Sequence, residues 1–333
     1  MMEENNLDRL TSQEISQLWA TYMGDSAQAC ILSYFLHITK DESIKIIVQD
    51  AYQGALEHLE IISALFKEES YPIPFGFSLD NDVTSSSNSE LFSDSLILEF
   101  LHQFGRVGMR SHAVNLSLAV RKDTTDLFEK CLSDSIRLYN LAKNALIVKG
   151  LYIHSPFLEP ADSADFIEEQ GFLTGIFGNR RPLLSTEVTN LYANFQRNSL
   201  GASVMLGFSQ VAKSKEAAKH FLRGKEIAEK HCEIFSAFLK QDHLPAGLYW
   251  DSQVTDTTEY VFSDKLMMYV AGSLTAMGIG FYGLGLGASM RRDIAATFNR
   301  LLMEVQLYAE DGMNIMIKHK WLESPPKAVR RKK

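Results

Sequence analysis

Leu10–Ala29 reads LTSQEISQLWATYMGDSAQA, and Leu183–Ala202 reads LLSTEVTNLYANFQRNSLGA. The offset is 183 − 10 = 173, and it holds without a gap for over sixty residues. Ser12 meets Ser185, Glu14 meets Glu187, Phe35 meets Phe208, His58 meets His231 and Pro72 meets Pro245. The second copy then loses three residues and the offset becomes 170. LFSD at Leu91–Asp94 meets VFSD at Val261–Asp264, Arg121–Asp123 meets Arg291–Asp293, and Pro156 meets Pro326. Matches kept in register over this length mark an internal duplication. The units are residues 10–156 and 183–326, with a linker at 157–182 that has a short helical pattern and a basic tail at 327–333.

Each unit divides into four helical stretches. Helix one takes Ser12 or Ser185 as N-cap, since a short oxygen-bearing side chain satisfies free amides at a helix start. Its apolar positions, Leu18, Tyr22, Ala29 and Leu36, follow helical spacing. Helix two is expected from Glu42 to Glu69, and again from Lys215 to Lys240. The loops YPIPFGF and LPAGLYW end it, because their prolines and glycines interrupt a helix. Helix three is expected after Asp94 or Asp264, and helix four after Asp123 or Asp293. Strand alternation is not sustained anywhere. The predicted fold is all-α: two tandem four-helix bundles of the ferritin-like kind, whose mark is the long connection between helices two and three.

Composition narrows the function. Hydrophobic content of 46% and charge of 22% suit a globular chain, and a net charge of −8 disfavours nucleic acid. The N-terminal MMEENNLDRL lacks the apolar core of a signal peptide. Cys30, Cys131 and Cys232 are scattered and odd in number, so they read as buried thiols in a reducing compartment. The expected location is the cytoplasm.

Met267–Met290, MMYVAGSLTAMGIGFYGLGLGASM, is long enough to cross a membrane and carries no charge. Its partner in the first unit, Ile97–Val120, carries Glu99, His102, Arg106, Arg110 and His112. Each charge at a bilayer centre would cost about 2.5–3.5 kcal/mol, so the first copy cannot span. The second copy is therefore read as a buried bundle helix at an inter-domain or dimer contact, with membrane association as the alternative. Its GxxxG pair, Gly283 and Gly287, is expected to let a neighbouring backbone approach.

A di-metal bundle needs Glu-x-x-His on each of two helices. Only one such pair stands in a helical stretch, Glu99-x-x-His102, and its equivalents in the second unit are Tyr269 and Gly272. It reads as a salt-bridged or solvated face beside Arg106 and Arg110. A weaker constellation joins core-facing His58 to Asp25 and Asp134, and His231 to Asn198 and Glu304. These residues are candidates for a single zinc, manganese or iron ion per bundle. The favoured reading is structural: a buried histidine bonded to a polar group of helix one or helix four, with no cofactor. Arg121-x-Asp123 and Arg291-x-Asp293 read as helix-four caps with an ion pair. No Ser-His-Asp, phosphate-loop or dinucleotide motif is present.

PIPFGF, LFSD and GLYIHSP in the first unit, with RPLLSTEV, LGFSQVAKSKE, FLRGKEIAEKH, FSDKLMMY and WLESPP in the second, resemble the two-repeat domain-of-unknown-function family 3231 of spore-forming bacteria. The resemblance covers nearly the whole chain. It implies a ferritin-like bundle used twice and a distant similarity to spore coat protein F, and it supplies no activity. It also implies spore association and a coat protein as partner; a homo-oligomer is the other partner expected, through the apolar helix. Two function classes follow: a non-catalytic structural or interaction protein, or a metal-binding or redox protein built on the bundle core.

Overall fold

The structure is a computed structural model that describes residues 9–84, 89–160, 162–175 and 180–328. Four of the tail's five basic residues, Arg330, Arg331, Lys332 and Lys333, lie outside the described residues. The first repeat holds α1 (Ser12–Ile38), α2 (Glu42–Glu68), a one-turn α3 (Leu79–Asp82), α4 (Asp94–Leu118) and α5 (Lys122–Val148). The second holds α6 (Ser185–Val211), α7 (Lys215–Gln241), α8 (Asp264–Ala288) and α9 (Arg292–Lys318). Among the described residues there is no strand; one isolated bridge pairs Val83 with Phe262. The chain is all-α, in two tandem four-helix repeats. Among its described residues the linker's helical pattern yields a short 3₁₀ turn, Gln170–Leu173.

Contacts group the chain into two compact units. One comprises residues 1–152, 259–266 and 320–333; the other comprises 153–258 and 267–319. The first unit therefore takes in the start of α8 and the C-terminal segment. There, Glu323 accepts the backbone N–H groups of Phe75 (2.8 Å) and Gly76 (3.0 Å), and Lys265 donates to the Gly76 carbonyl. Gly76 has φ +55°, which explains a glycine at this turn.

Helix starts depart from the expected caps by one residue. The N-cap of α1 is Thr11, not Ser12: its hydroxyl accepts the Glu14 N–H while Glu14 accepts the Thr11 N–H, a reciprocal capping box. The equivalent cap of α6 is Leu184, whose side chain has no acceptor, so Glu187 alone serves its N–H. Ser93 rather than Asp94 caps α4; Asp94 instead accepts the N–H groups of Lys40 and Asp41.

Glu14 and Glu187 also reach the start of the fourth helix. Glu14 accepts the N–H groups of Val120 and Arg121 and the Thr124 hydroxyl; Glu187 accepts those of Met290 and Arg291. Both glutamates are fully buried. Burial opposes the charge of Glu14, but the backbone N–H groups of Arg121, Thr11 and Val120 outweigh it and hold its carboxyl at about 2. Arg121 and Arg291 each pair with Asp123 or Asp293, as the spacing suggested. Cys30, Cys131 and Cys232 are buried free thiols.

Helix α8, without charge from Leu266 onward, differs from its expectation. One face packs: Tyr282 and Gly285 lie in the second repeat's core with Phe235, Phe298 and Leu301. The other face is exposed at Gly272, Ala276, Gly280, Gly283, Leu284 and Gly287. Only 28% of its most apolar window is buried, so it is not a helix enclosed on all sides. Among the described residues it is the one helix long and apolar enough to cross a membrane. The glycine that permits close approach is Gly285, where a Cβ would stand 2.6 Å from the Phe298 ring. Gly283 and Gly287 have nothing within 4 Å of an added Cβ, so the GxxxG pair meets no neighbour inside its own bundle.

Candidate functional site

In the first repeat three of the candidate residues converge. His58 on α2 is 6% exposed. Its Nδ1 lies 3.1 Å from Asp25 Oδ2 on α1, and its Nε2 lies 3.1 Å from Asp134 Oδ2 on α5. The imidazole therefore bridges the outer helices through two carboxylates. Both contacts are best satisfied when both nitrogens carry protons. Burial works against that charge, but hydrogen bonds to Asp25 and Cys131 and the nearby negative charge push the imidazole up to about 11.

Asp134 is shared. Lys130 Nζ lies 3.0 Å from Oδ2 and Arg137 Nη1 lies 2.9 Å from Oδ1, while Glu57 and Asp50 hold the far sides of those cations. Burial raises the Asp134 carboxyl, yet Lys130 and His58 outweigh it and keep it below the usual range.

Beside this bridge lies a polar cavity of about 60 Å³, lined among others by Asp25, Gln28, His58, His112, Asp134 and Ser135. The Nδ1 atom of His112 is buried without a hydrogen-bond partner. Burial lowers the proton affinity of His112, so it stands neutral next to the charged His58. The two rings are 6.4 Å apart.

The second repeat solves the same position differently. His231 is fully buried, with Nδ1 2.7 Å from the Tyr282 hydroxyl and Nε2 3.2 Å from Glu304 Oε2. Tyr282 in turn lies 3.0 Å from Asn198 Oδ1. Tyr282 is the equivalent of His112 at the offset of 170. A phenol on α8 thus stands between the histidine and helix one, where the first repeat makes direct contact. The Tyr282 hydroxyl has one proton and, beside a neutral imidazole, two acceptors. Burial drives His231 toward its neutral form against the pull of Glu304, which Lys230 neutralises at 2.7 Å. The two equivalent histidines are therefore pushed in opposite directions, His58 toward its charged form and His231 toward its neutral one.

Glu99 and His102 form a separate buried cluster. They are 3.3 Å apart, Gln103 donates to Glu99 at 2.6 Å, and His102 stacks on Tyr139. The pair is buried rather than solvated, at 7% and 4% exposure. It does not line the His58 cavity. Among the described residues no three His, Cys, Asp or Glu side chains converge in a way that would hold a metal ion. The sequence reading missed Tyr282 and His112. Their alignment with each other was the available signal, because a Tyr–His exchange at one core position of a duplicated unit marks altered hydrogen bonding.

No curated protein matches the chain. Among solved structures it is similar to a candidate spore coat protein from Bacillus halodurans, at 14% identity and a TM-score of 0.42, over 45% of this chain and 98% of that one. The signature of DUF3231, described as a protein of unknown function, matches residues 3–163 and again 171–333. These two matches follow the two repeats, and the chain belongs to that family.

Proposed function

We propose that this is a non-catalytic structural or interaction protein whose buried histidines fix how each bundle packs. The observation that carries the reading is His58. Both of its nitrogens are engaged by carboxylates, and a protonated imidazole has no lone pair to offer a metal or a substrate proton. Asp134 is spent on three cationic partners. The cytoplasm is the proposed location, from the buried free thiols, and the spore the proposed setting, from the family resemblance. Fractionation of vegetative cells and spores tests the setting.

A metal-binding reading has one observation in its favour. The unpartnered Nδ1 of His112 and the carboxylates of Asp25 and Asp134 border one cavity, although no three such donors converge among the described residues; a single zinc, manganese or iron ion would need them to move together. Elemental analysis of the purified chain separates the two readings. The structural reading expects substoichiometric metal, and it expects His58→Phe to lower the melting temperature without changing metal content. About one ion per chain, lost in His58→Phe, would overturn it.

A further inference from the structure

Phe75 and Phe166 are equally exposed, at 91% each, but their backbones are held differently. The N–H groups of Phe75 and Gly76 bond to Glu323, the Gly76 carbonyl accepts Lys265, and Gly76 sits at φ +55°. The Phe75–Gly76 peptide bond is thus pinned in a turn. Phe166 lies in a stretch without helix or strand. Among the described residues from 155 to 168 no backbone group bonds to another backbone group, and the Phe166 N–H bonds only to the neighbouring Asp165 carboxylate. The stretch contains one triplet twice, Phe157-Leu158-Glu159 and Phe166-Ile167-Glu168. Phe157 is 85% exposed. Order returns at the Gln170–Leu173 turn, where Arg181 bonds the Phe172 carbonyl at 3.0 Å.

We infer that this linker is a processing site for an endoprotease with an apolar primary pocket, and that the cut chain stays together as two fragments. A protease takes its substrate in extended form, so a bond in a helix or a pinned loop must first open locally. Exposed segments free of such bonds are cut first. The Phe157–Leu158 and Phe166–Ile167 bonds meet that condition, and Phe75–Gly76 does not. Hydrolysis adds one water across the peptide bond. It leaves a carboxylate on the phenylalanine and a free amino group on Leu158 or Ile167.

Retention follows from how the first unit is built. It includes residues 259–266 and 320–333, which lie beyond the linker in sequence. Phe262 is 1% exposed, with its ring edge-on to Tyr34 at 4.8 Å. Ser263 donates its N–H to the Asp82 carbonyl at 2.9 Å, and Thr84 donates to the Val261 carbonyl at 3.0 Å. Lys265 and Glu323 add their bonds to the turn at Gly76. A cut at Phe157 or Phe166 leaves every one of these contacts in place. The inference stands independently of the role given to the histidines.

Limited chymotrypsin digestion of the full chain, read by intact mass and by size exclusion, tests both parts. The first cut between residues 10 and 326 is expected after Phe157 or Phe166. The fragments should co-elute at about 10 µM, as a pair with Kd below about 1 µM does, and separate only in denaturant. Phe157→Asp combined with Phe166→Asp changes two exposed side chains and should slow the first cut at least about tenfold, since the primary pocket then loses its apolar occupant. Glu323→Ala should open a cut after Phe75 that the wild-type chain resists. Four results would each overturn the inference. They are a first cut at another bond, an unchanged rate in the double aspartate variant, fragments that part at that concentration, and a Glu323→Ala chain still spared at Phe75.

Discussion

Asp25 and Asn198 occupy the same place on helix one, and that difference, together with the exchange of His112 for Tyr282, accounts for the contrast between the two histidines. A carboxylate at 3.1 Å holds a proton on His58; an amide cannot, and the second repeat inserts the Tyr282 hydroxyl instead. Asp25→Asn in the first repeat leaves the volume unchanged and removes the charge. It provides no phenol, because His112 stands where Tyr282 would. The proton on His58 is then opposed by burial and supported mainly by Asp134. The expected outcome is a lower His58 proton affinity in an NMR titration, together with a stability loss of about 1–3 kcal/mol, the usual range for weakening a buried hydrogen-bonded partner. An unchanged His58 titration would mean that Asp134 alone fixes the charge.

At the scale of the element, α8 divides into glycines that pack and glycines that do not. Gly285→Ala would drive a methyl group into the Phe298 ring, which has core neighbours on all sides, so the expected loss is about 1–3 kcal/mol by overpacking. Gly278→Ala meets nothing within 4 Å and gains helix propensity, so it should stabilise by about 0.5–1 kcal/mol. Urea denaturation of the two variants tests this opposition of sign. It also shows what sequence can and cannot supply. Helix bounds and the duplication were legible, because caps, loops and register are written locally. The face of α8 that packs was not, because six glycines in a stretch without charge from Leu266 onward carry no amphipathic pattern to orient it. The bridge from His58 to Asp25 and Asp134 was legible because all three lie on core-facing positions of regular helices. The Tyr282 relay was not, since it required knowing that α8 turns that hydroxyl toward α7. Thr11-x-x-Glu14 had the signature of a capping box, yet its glutamate's reach to Val120 and Arg121 depends on how α1 meets the start of α5.

For the whole molecule, the two repeats should weaken at opposite ends of the pH scale. The proton affinity of His58 is raised from 6.5 to about 11 by folding. Below pH 6.5 the folded and unfolded chains both hold that proton and the stabilisation is complete. Above 6.5 the unfolded chain releases it while the native one keeps it, so stability falls as pH rises toward the folded value. The slope is at most about 1.4 kcal/mol per pH unit. The proton affinity of His231 is lowered by burial. Its contribution is complete above 6.5 and is lost as pH falls, because the unfolded chain then takes up a proton that the native core refuses. Raising the pH from 7 to 9 should therefore loosen the first repeat, and lowering it from 7 to 5 should loosen the second. Hydrogen exchange resolved by peptide, corrected for the intrinsic pH dependence of exchange, reads each repeat within the intact chain. His58→Asn should flatten the alkaline response of peptides from α2 and α5 and leave the second repeat's acid response in place. His231→Asn should do the reverse in α7 and α9. Parallel responses in both repeats would show that the two histidines share one charge state, and that Tyr282 does not separate the second repeat from the first.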